Sequence, residues 1–385
     1  MRESLNVYAV HSSFSEALLY PFGPEILIDA TNSPESKQKC ISYASKYNIP
    51  FFSASTNKDR GALVVFRPKN KIATLLSGSL ESLLLNEFKG QAQGNYSSGV
   101  IAGLATEEVR KSVFQIKEYD HPLKNGSVIY YNINSSNRVG RQSDLRELLL
   151  DYYKEFNVLI IGAGAIGNFV ALNLAMMGVG NIDIMDDDFI DHTNTHRQIL
   201  FYGNRIGEKK AKVLCERIKE INPNVSSHPL VEKFTEGHEG LIKNGNGNGP
   251  YDLIFTCVDN QYSRYIINEF AVEYNVPVVD GGTGPTSGQV AVFVPGYTRC
   301  VTCQRNLKKK KKVVVNCREA EPSVVIPNII IGSAMCGEAK RILYKGIDYT
   351  APRILVYDAF SVGRLQTRPV LIDKRRKCQC QTKLN

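Results

Sequence analysis

Val158-Leu159-Ile160-Ile161-Gly162-Ala163-Gly164-Ala165-Ile166-Gly167 decides the fold of this chain, because an apolar strand runs directly into a Gly-x-Gly-x-x-Gly turn. A helical segment follows at 168–177, and a second apolar strand at 181–185 ends in three consecutive aspartates. In such a β-α-β unit the glycines let the backbone approach a phosphate, and the helix directs its partly positive N-terminus at the anion. The stretch therefore predicts a nucleotide site.

The first aspartate after the second strand is placed to bind a ribose. Asp186 follows that strand directly, and a carboxylate at this position typically accepts the ribose hydroxyl groups of a bound nucleotide. A nicotinamide-dependent dehydrogenase fits these features equally well. We therefore expect the residues that follow to separate the two classes of enzyme.

Polar and cationic side chains follow the second strand in quick succession. They are Asn194, Arg197, Gln198 and Lys210. Arginine forks onto phosphate oxygens, lysine places a point charge on them, and both stabilise charge that develops during attack at the α-phosphorus. A dinucleotide pyrophosphate is held by backbone amides and has no evident use for such a cluster. The pattern favours attack on ATP, and the alternative is that Arg197 and Lys210 are solvated surface charges.

Several separately spaced motifs resemble the ThiF/MoeB family of adenylating enzymes, which is related to the ubiquitin-activating enzymes. The resemblance covers residues 138–380 and is carried by Gly162–Gly167, Met185–Asp188, Thr193–Gln198, Ile206–Ala211, Val258–Asn260 and Arg264. It implies that the C-terminal carboxylate of a ubiquitin-like carrier protein or of a ribosomally made precursor peptide attacks the α-phosphate of Mg·ATP. The products would be an acyl-adenylate and pyrophosphate.

The resemblance also implies roles for individual residues of this chain. The expected nucleotide-binding residues are Gly162, Gly164, Gly167, Asp186, Asp188, Asn194, Arg197, Gln198 and Lys210. Arg197, Lys210 and Asp259 are the expected catalytic residues, with Asp259 binding Mg²⁺ and Arg264 as a supporting contact. In the segment 138–142, Arg141 would reach the triphosphate of the neighbouring subunit, which implies a homodimer. His196 departs from the family, which more often has Asn or Gln there.

The residues around Asp259 support its assignment independently of the resemblance. The apolar segment 252–257 predicts a buried parallel strand, and Asp259 lies just past its C-terminal end. The ligand crevice of an open α/β sheet lies at that edge, and Mg²⁺ needs only one or two carboxylates beside phosphate oxygens and water. The alternative is that Asp259 only caps a helix that begins near Tyr262.

Nine cysteines in a chain without a secretory signal favour metal binding or catalysis over disulfides. Cys300, Cys303, Cys378 and Cys380 form two short pairs that suit tetrahedral Zn²⁺. The family's structural zinc site usually has two residues between the cysteines of each pair, whereas one residue, Gln379, lies between the second pair here. We expect zinc to hold the C-terminal tail to the body of the protein.

Cys317 corresponds to a mobile crossover segment of the family, in which some members carry a cysteine that bonds to the activated carboxyl group. Neighbouring Arg318 and the lysines at 308–312 would favour the reactive thiolate. The alternative is a bystander cysteine in an enzyme that only adenylates. Four other cysteines lie in apolar patterns and are predicted core residues: Cys40, Cys215, Cys257 and Cys336.

The composition of the 385-residue chain favours a cytoplasmic protein. No apolar run reaches the length of a membrane span, and the first residues lack a signal-peptide core. Much of the net charge of +9 lies in Lys308–Lys312 and Lys374–Lys377, which predicts a solvated loop and tail and no nucleic-acid site. The functional alternative is that these clusters attract an acidic carrier or peptide.

An internal repeat relates the N-terminal third of the chain to the region around Asp259. The first copy comprises Ile26–Asn32, Ala44, Tyr47–Pro50, Gly61 and Val65–Pro68, and the second comprises Leu253–Asp259, Ala271, Tyr274–Pro277, Gly288 and Val292–Pro295. The offset is constant, because Ala44 precedes Ala271 by the same interval as Pro68 precedes Pro295. The pattern continues more loosely to residue 131. The expected fold is therefore an α/β Rossmann-like doubly wound sheet preceded by a partial α/β repeat.

The repeat predicts a domain boundary and an inactive N-terminal part. Residues 1–135 would be a degenerate half-copy, because they lack the glycine loop, the triphosphate cluster and the cysteine pairs, and Asn32 stands where the second copy has Asp259. Residues 136–385 would be the catalytic domain. The half-copy would be a built-in pseudo-partner or a recognition module for the substrate, and the alternative is a relic that covers apolar surface.

Two classes of function follow. The favoured class is ATP-dependent adenylation for sulfur transfer or peptide natural-product biosynthesis, because the half-copy suggests a specialised role. The rival class is a non-catalytic binding protein built on a decayed adenylation fold, against which the intact glycines, Arg197, Lys210 and Asp259 argue.

Overall fold

The computed structural model describes residues 15, 23–31, 33–67, 95–114, 122–143, 153–305, 307, 323–343 and 353–369. Several sequence predictions lie outside the described residues: Asn32, Cys317, Cys378, Cys380 and the lysine clusters.

The helices and strands of the described residues alternate along most of the chain. The α-helices are α1 (Pro34–Tyr47), α2 (Asn95–Phe114), α3 (Ala165–Met177), α4 (Lys210–Ile221), α5 (Glu239–Asn244), α6 (Gln261–Glu273), α7 (Val301–Arg305) and α8 (Val325–Leu343). The first strands are β1 (Leu27–Asp29), β2 (Phe51–Asn57), β3 (Arg60–Phe66), β4 (Val128–Asn132), β5 (Asn157–Ile161) and β6 (Asn181–Met185). The later strands are β7 (Ser226–Leu230), β8 (Leu253–Thr256), β9 (Val278–Thr283), β10 (Ser287–Phe293), β11 (Arg353–Asp358) and β12 (Leu365–Pro369).

The larger sheet positions the nucleotide site. Its eight strands have the order β12-β11-β10-β9-β8-β5-β6-β7, and β7, β6, β5, β8 and β9 run parallel. Every residue of β5 and β8 is buried, as expected for parallel strands covered on both faces. The chain leaves β5 towards β6 on one side and returns as β8 on the other, so the strand order reverses between β5 and β8. Ligands bind at such a switch point, and the predicted doubly wound α/β fold is confirmed.

The smaller sheet has four strands in the order β1-β2-β3-β4. The elements β1, α1, β2 and β3 follow one another as β8, α6, β9 and β10 do in the larger sheet, and β1 pairs with β2 in parallel as β8 pairs with β9. The first residues of α1, β2 and β3 precede those of α6, β9 and β10 by the same offset that relates the two copies in the sequence. The element order therefore agrees with the partial repeat.

The chain divides into two compact units that cut across the predicted boundary. The first consists of Met1–Ser55, Leu63–Gln91 and Leu123–Val128, and the second of Thr56–Ala62, Ala92–Pro122 and Ile129–Asn385. Parts of the half-copy, including α2, thus belong to the same unit as the nucleotide site. The roles assigned to residues 1–135 and 136–385 stay predictions.

In the described segments, no helix is both long enough and apolar enough to span a membrane.

Candidate nucleotide site

The three glycines after β5 have different physical tasks. Gly162 has a φ of +104°, and a Cβ there would lie 2.6 Å from the carbonyl oxygen of Cys257 at the end of β8. A Cβ on Gly167 would overlap the carbonyl oxygen of Gly162. By contrast, a Cβ on Gly164 would meet no atom within 4 Å. Two glycines thus allow the loop to pack, and the third faces open space in which a phosphate can approach the backbone.

The glycine loop continues directly into α3. Gly164 is the N-cap residue and provides no side-chain cap, so the first N–H groups of the helix stay available to an anion. The helix ends at Gly178, whose left-handed φ of +74° lets its N–H donate to the carbonyl oxygens of Leu174 and Ala175.

Asp186 is tied to the glycine loop by hydrogen bonds. Its carboxylate accepts from the N–H of Ala163 at 2.7 Å and from the N–H of Asp188 at 2.8 Å. Burial raises the pKa of the Asp186 carboxyl, and these two donors together with nearby Lys210 oppose that rise. Each carboxylate offers about four acceptor positions, so Asp186 can still accept from two ribose hydroxyl groups.

Lys210 is held beside the aspartates that follow β6. Its backbone N–H donates to the carbonyl oxygen of Asp188 at 3.0 Å, and its ammonium group lies 3.0 Å from the carboxylate of the same residue. The Lys210 side chain is buried, whereas that of Asp188 is exposed. The alternative that Lys210 is a solvated surface charge is therefore wrong, and its ammonium group is held beside Asp188, in the aspartate segment that begins with Asp186.

The polar segment after β6 is a compact turn. Asn194 is buried and closes the turn, because its side-chain oxygen accepts from the N–H of Asp191 at 3.0 Å. Arg197 is half-buried, donates to the carbonyl oxygen of Thr193 at 2.6 Å, and has its pKa lowered by burial. Gln198 is buried, and its side-chain oxygen has no hydrogen-bond partner among the described residues. Such an orphaned acceptor suits a ligand that brings a donor or an ordered water.

Asn168, which the sequence reasoning missed, joins the glycine loop to this turn. Its amide group donates to the carbonyl oxygens of Ala163 and Gly164 at 3.1 and 2.9 Å, and its side-chain oxygen accepts from the N–H of Leu200 at 2.9 Å. The side chain is fully buried. A signal was available, because Asn168 is a polar residue in the first turns of a helix whose other polar side chain is Asn173.

Asp259 follows β8 at the same edge of the sheet as the glycine loop. It is exposed, and the neighbouring Asn260 caps α6 by accepting from the N–H of Ser263 at 2.7 Å. The alternative that Asp259 caps this helix is therefore wrong. Its carboxylate is carried by a short loop at the switch point, which is the position expected of a Mg²⁺ ligand.

Arg264 lies behind this loop rather than in the crevice. It is buried and donates to the carboxylate of Asp280 in β9 and to the carbonyl oxygen of Val258, the residue before Asp259. Arg305 of α7 also donates to Asp280. Arg264 therefore fixes the conformation of the Asp259 loop from inside the protein, and the expected supporting role is an indirect one.

His196 and Arg141 are both exposed. The ring nitrogen Nε2 of His196 lies 3.2 Å from the carbonyl oxygen of Ser323, just before α8, and 3.3 Å from Nη1 of Arg197. The carbonyl oxygen of Arg141 accepts from the Asn132 amide at 3.5 Å. The role of Arg141 at a neighbouring triphosphate stays a prediction.

The described cysteines fall into the two groups that the sequence predicts, namely core residues and one pair of candidate metal ligands. Cys40, Cys215 and Cys336 are buried, as predicted for core residues, and Cys257 is half-buried at the end of β8. Cys300 is buried, and Cys303 is half-buried one turn later in α7. This spacing presents two thiols from a single turn, which suits one half of a tetrahedral metal site.

Solved structures share the fold of this chain. The crystal structure of E. coli MccB with MccA-N7isoASN has a TM-score of 0.51, with 20% sequence identity, and the match covers 60% of this chain and 68% of that one. The structure of E. coli MccB with ATP has a TM-score of 0.50 and the same identity. At this identity the likeness supports the fold alone.

Sequence relatives carry related names. The adenylyltransferase and sulfurtransferase UBA4 of Meyerozyma guilliermondii is 30% identical over 277 residues, which cover 69% of this chain. The chain spans 63% of the length of that relative. The sulfur carrier protein adenylyltransferase of Thermus thermophilus is 32% identical over 217 residues, which cover 54% of this chain and 77% of that protein.

The residues of the nucleotide site lie within a segment that matches a known family. The ThiF family matches residues 136–382, which contain the glycine loop, Asp186, the polar turn, Lys210 and Asp259. The match spans well over half of the chain and begins where the sequence predicted the catalytic domain to begin. The chain belongs to the ThiF family.

Proposed function

We propose that this protein is an ATP-dependent adenylyltransferase that activates a C-terminal carboxylate. The carboxylate oxygen attacks the α-phosphorus of ATP, and the bond between the α-phosphorus and the oxygen that bridges it to the β-phosphate breaks. An acyl-adenylate forms and pyrophosphate leaves. The names of the relatives support this activity, since both of the sequence relatives described above are called adenylyltransferases.

One observation carries the proposal. At the switch point between β5 and β8, Gly164 has open space at its Cβ position, the preceding Ala163 donates to the Asp186 carboxylate, and the buried ammonium group of Lys210 lies beside Asp188. This arrangement offers a backbone surface for phosphate, an acceptor for ribose and a desolvated cation for the triphosphate. A desolvated lysine stabilises developing phosphate charge more strongly than an exposed one, because the local dielectric constant is low.

The donor atoms around the switch point also fit a magnesium ion. Asp259 supplies an exposed carboxylate on a loop that Arg264 fixes from inside. When bound there with ATP, Mg²⁺ would neutralise phosphate charge and orient the leaving pyrophosphate. We propose Asp259 as the protein ligand of this ion.

We propose two candidate classes of substrate. The Thermus thermophilus relative is named for a sulfur carrier protein, which supports a ubiquitin-like carrier. A short ribosomally made precursor peptide is the second candidate, which the half-copy at the N-terminus suggests because a specialised substrate needs additional recognition surface. Both substrates present a flexible C-terminal carboxylate, so the same nucleotide chemistry serves either.

Two lysines of one helix test the proposed activity. Lys210 and Lys212 both lie in the first turn of α4, but Lys210 is buried at the site and Lys212 is exposed. We expect Lys210→Met to lower ATP–pyrophosphate exchange by roughly 10²-fold or more, as for loss of a group that stabilises transition-state charge. Lys212→Met should leave the exchange rate unchanged.

The exchange assay should use a panel of proteins ending in Gly-Gly and of short peptides. Exchange that depends on one of these substrates and disappears in Asp259→Ala supports the proposal. The absence of exchange with every substrate would favour the rival class of a non-catalytic binding protein. Equal loss of exchange in Lys210→Met and Lys212→Met would contradict the role proposed for Lys210.

A structural zinc site is a further part of the proposal. Cys300 and Cys303 would supply one half of the site and Cys378 with Cys380 the other half. Since four thiolates fill a tetrahedral shell, metal analysis of the purified protein should find about one Zn²⁺ per chain. Cys303→Ser should lower this content and the thermal midpoint together, whereas the core variant Cys40→Ser should leave the zinc content unchanged. Metal-free wild-type protein would contradict the proposal.

A further inference from the structure

Helix α8 is buried on all sides within the second compact unit. Every side chain from Ile330 to Leu343 is buried, which a helix achieves only when neighbours cover its whole circumference. On one side it contacts α3 of the nucleotide site, where a Cβ on Gly332 would lie 2.7 Å from the Cβ of Phe169. On another side it contacts α2 of the half-copy, where a Cβ on Gly99 would lie 2.8 Å from the Cβ of Ser333.

Two buried ion pairs join the halves in a reciprocal manner. Arg138 closes the turn that follows β4, just beyond the boundary predicted at residue 135, and it donates to Glu338 of α8 at 2.7 and 3.1 Å. Arg364, which follows β11 of the catalytic half, donates to Glu108 of α2 at 2.8 Å. All four side chains are almost fully buried. When the half-copy is taken to end at Arg138, with the turn that follows β4, each half places an arginine against the long helix of the other.

The segments that carry these arginines have the same backbone conformation. Residues 132–138 and 358–364 are the corresponding turns of the two halves, and in both the N–H of the first residue donates to the carbonyl oxygen of the last, at 2.8 and 2.9 Å. The last residue has a left-handed φ of +60° or +57°. Its N–H donates to the carbonyl oxygen of Ser135 or Ser361. The polar stretch 132–137 is thus part of a turn that has a counterpart in the other half.

Two further hydrogen bonds between the halves are reciprocal in the same way. Lys111 of α2 donates to the carbonyl oxygen of Ala359, and Arg341 of α8 donates to the carbonyl oxygen of Ile133 at 3.0 Å. Ala359 and Ile133 occupy equivalent positions in the two turns. When position i of one half contacts position j of the other, and j contacts i, the interface has the self-complementary form of a two-fold dimer.

We propose that the N-terminal half-copy is an internal partner subunit, so that the chain works as a monomer. Its helix α2 and its 132–138 turn occupy the face of α8 through which two copies of the catalytic half would otherwise pair. The homodimer that the family resemblance implies is then replaced by a pairing within one chain. The described nucleotide site lies against a neighbouring side of α8, through α3.

One buried charge explains why the pairing is internal. Lys340 of α8 lies 2.6 Å from Asp59 of the half-copy, and its ammonium group is almost fully buried. In the catalytic half, Thr286 occupies the position that corresponds to Asp59. The N–H of Ile133 donates to the carbonyl oxygen of Asp59 at 2.9 Å, and the N–H of the equivalent Ala359 donates to the carbonyl oxygen of Thr286 at 2.9 Å. Two catalytic halves would therefore bury Lys340 opposite a neutral threonine. An unpaired buried charge is strongly destabilising.

The mass of the wild-type chain in solution tests the proposal directly. Light scattering after size exclusion, over a wide range of protein concentrations, should give one species of 42.9 kDa. A species of twice this mass would overturn the proposal. The measurement needs no substrate, so its outcome is independent of whether ATP–pyrophosphate exchange is found.

Double-mutant cycles test whether the reciprocal ion pairs exist in solution. Arg138→Met and Glu338→Gln should each lower the midpoint of urea unfolding, and the double variant should lower it by less than the sum of the two shifts. The matched cycle of Arg364→Met and Glu108→Gln should show the same coupling. Additive shifts in both cycles would overturn the proposal. Where a single variant fails to fold, the mass of the wild-type chain still decides the question.

Discussion

At the scale of single residues, two glycines of the loop have different roles, because Gly167 is needed for packing and Gly164 for the approach of a ligand. We predict that Gly167→Ala lowers the free energy of unfolding by about 1–3 kcal/mol, as for an overpacked site, because its Cβ would overlap the Gly162 carbonyl oxygen. Gly164→Ala should change that free energy by no more than about 0.5 kcal/mol, since its Cβ meets no protein atom. It should nevertheless weaken ATP binding at least roughly tenfold, equal to about 1.4 kcal/mol.

Urea unfolding and ATP titration of both variants check this prediction. Equal loss of stability in the two variants would contradict the division of tasks, as would unchanged ATP affinity in a folded Gly164→Ala protein.

Asp186 gives the site a pH dependence whose sign follows from burial. Its pKa is raised above the ordinary value of 3.8, so ionisation of this carboxyl costs folding free energy, and that cost disappears as the pH falls through the raised pKa. We expect the stability of the wild type relative to Asp186→Asn to rise as the pH falls from the raised pKa to 3.8, and to be constant at higher pH. ATP affinity should fall over the same acidic range, because a protonated carboxyl loses acceptor capacity for ribose.

Unfolding midpoints and ATP affinities measured against pH in both proteins provide the test. A constant difference in stability across the acidic range would contradict a raised pKa.

Sequence reasoning at this scale located residues better than it assigned their contacts. The glycines, Asp186 and Lys210 could be named because their spacing follows from backbone geometry. Arg264 was expected beside the ligand, yet it is buried against Asp280, since one arginine in a helix does not reveal which partner folding will bring to it. Asn168 was missed because the hydrogen bond that makes it a link, from the N–H of Leu200, joins it to a segment that is distant in sequence.

At the scale of helices and strands, apolar runs and turn residues predicted the elements around the glycine loop and Asp259. The runs that become β5, β6 and β8 were recognisable as buried parallel strands, and the constant offset of the repeat located α1, β2 and β3 by comparison with α6, β9 and β10. The helix caps obey the same offset, because Ser33 caps α1 as Asn260 caps α6. The turn at 132–138 could not be predicted, since its polar residues are buried by contacts with segments that are distant in sequence, such as those of Asn134 with Asp59 and of Arg138 with Glu338.

At the scale of the whole molecule, the repeat in the sequence predicts two related halves but not how they divide the protein. The compact units cut through the half-copy and place α2 with the nucleotide site. The physical reason lies in α8, whose buried Lys340 and Arg341 have their partners, the Asp59 carboxylate and the Ile133 carbonyl oxygen, in the half-copy. A boundary drawn from sequence similarity cannot detect that these charges need the other half.

Separating the two halves should therefore destroy the fold of the catalytic half. A fragment of residues 136–385 keeps every nucleotide-site residue but loses α2 and Asp59, so the buried Lys340 ammonium group and the apolar face of α8 would be exposed to water or left unpaired. We expect this fragment to aggregate or to unfold at a much lower urea concentration than the full chain. Co-expression with residues 1–135 as a separate chain should restore a soluble complex, because the contacts that join the halves are noncovalent. A soluble, monomeric 136–385 fragment with full stability and full exchange activity would show instead that the half-copy is a relic that only covers apolar surface.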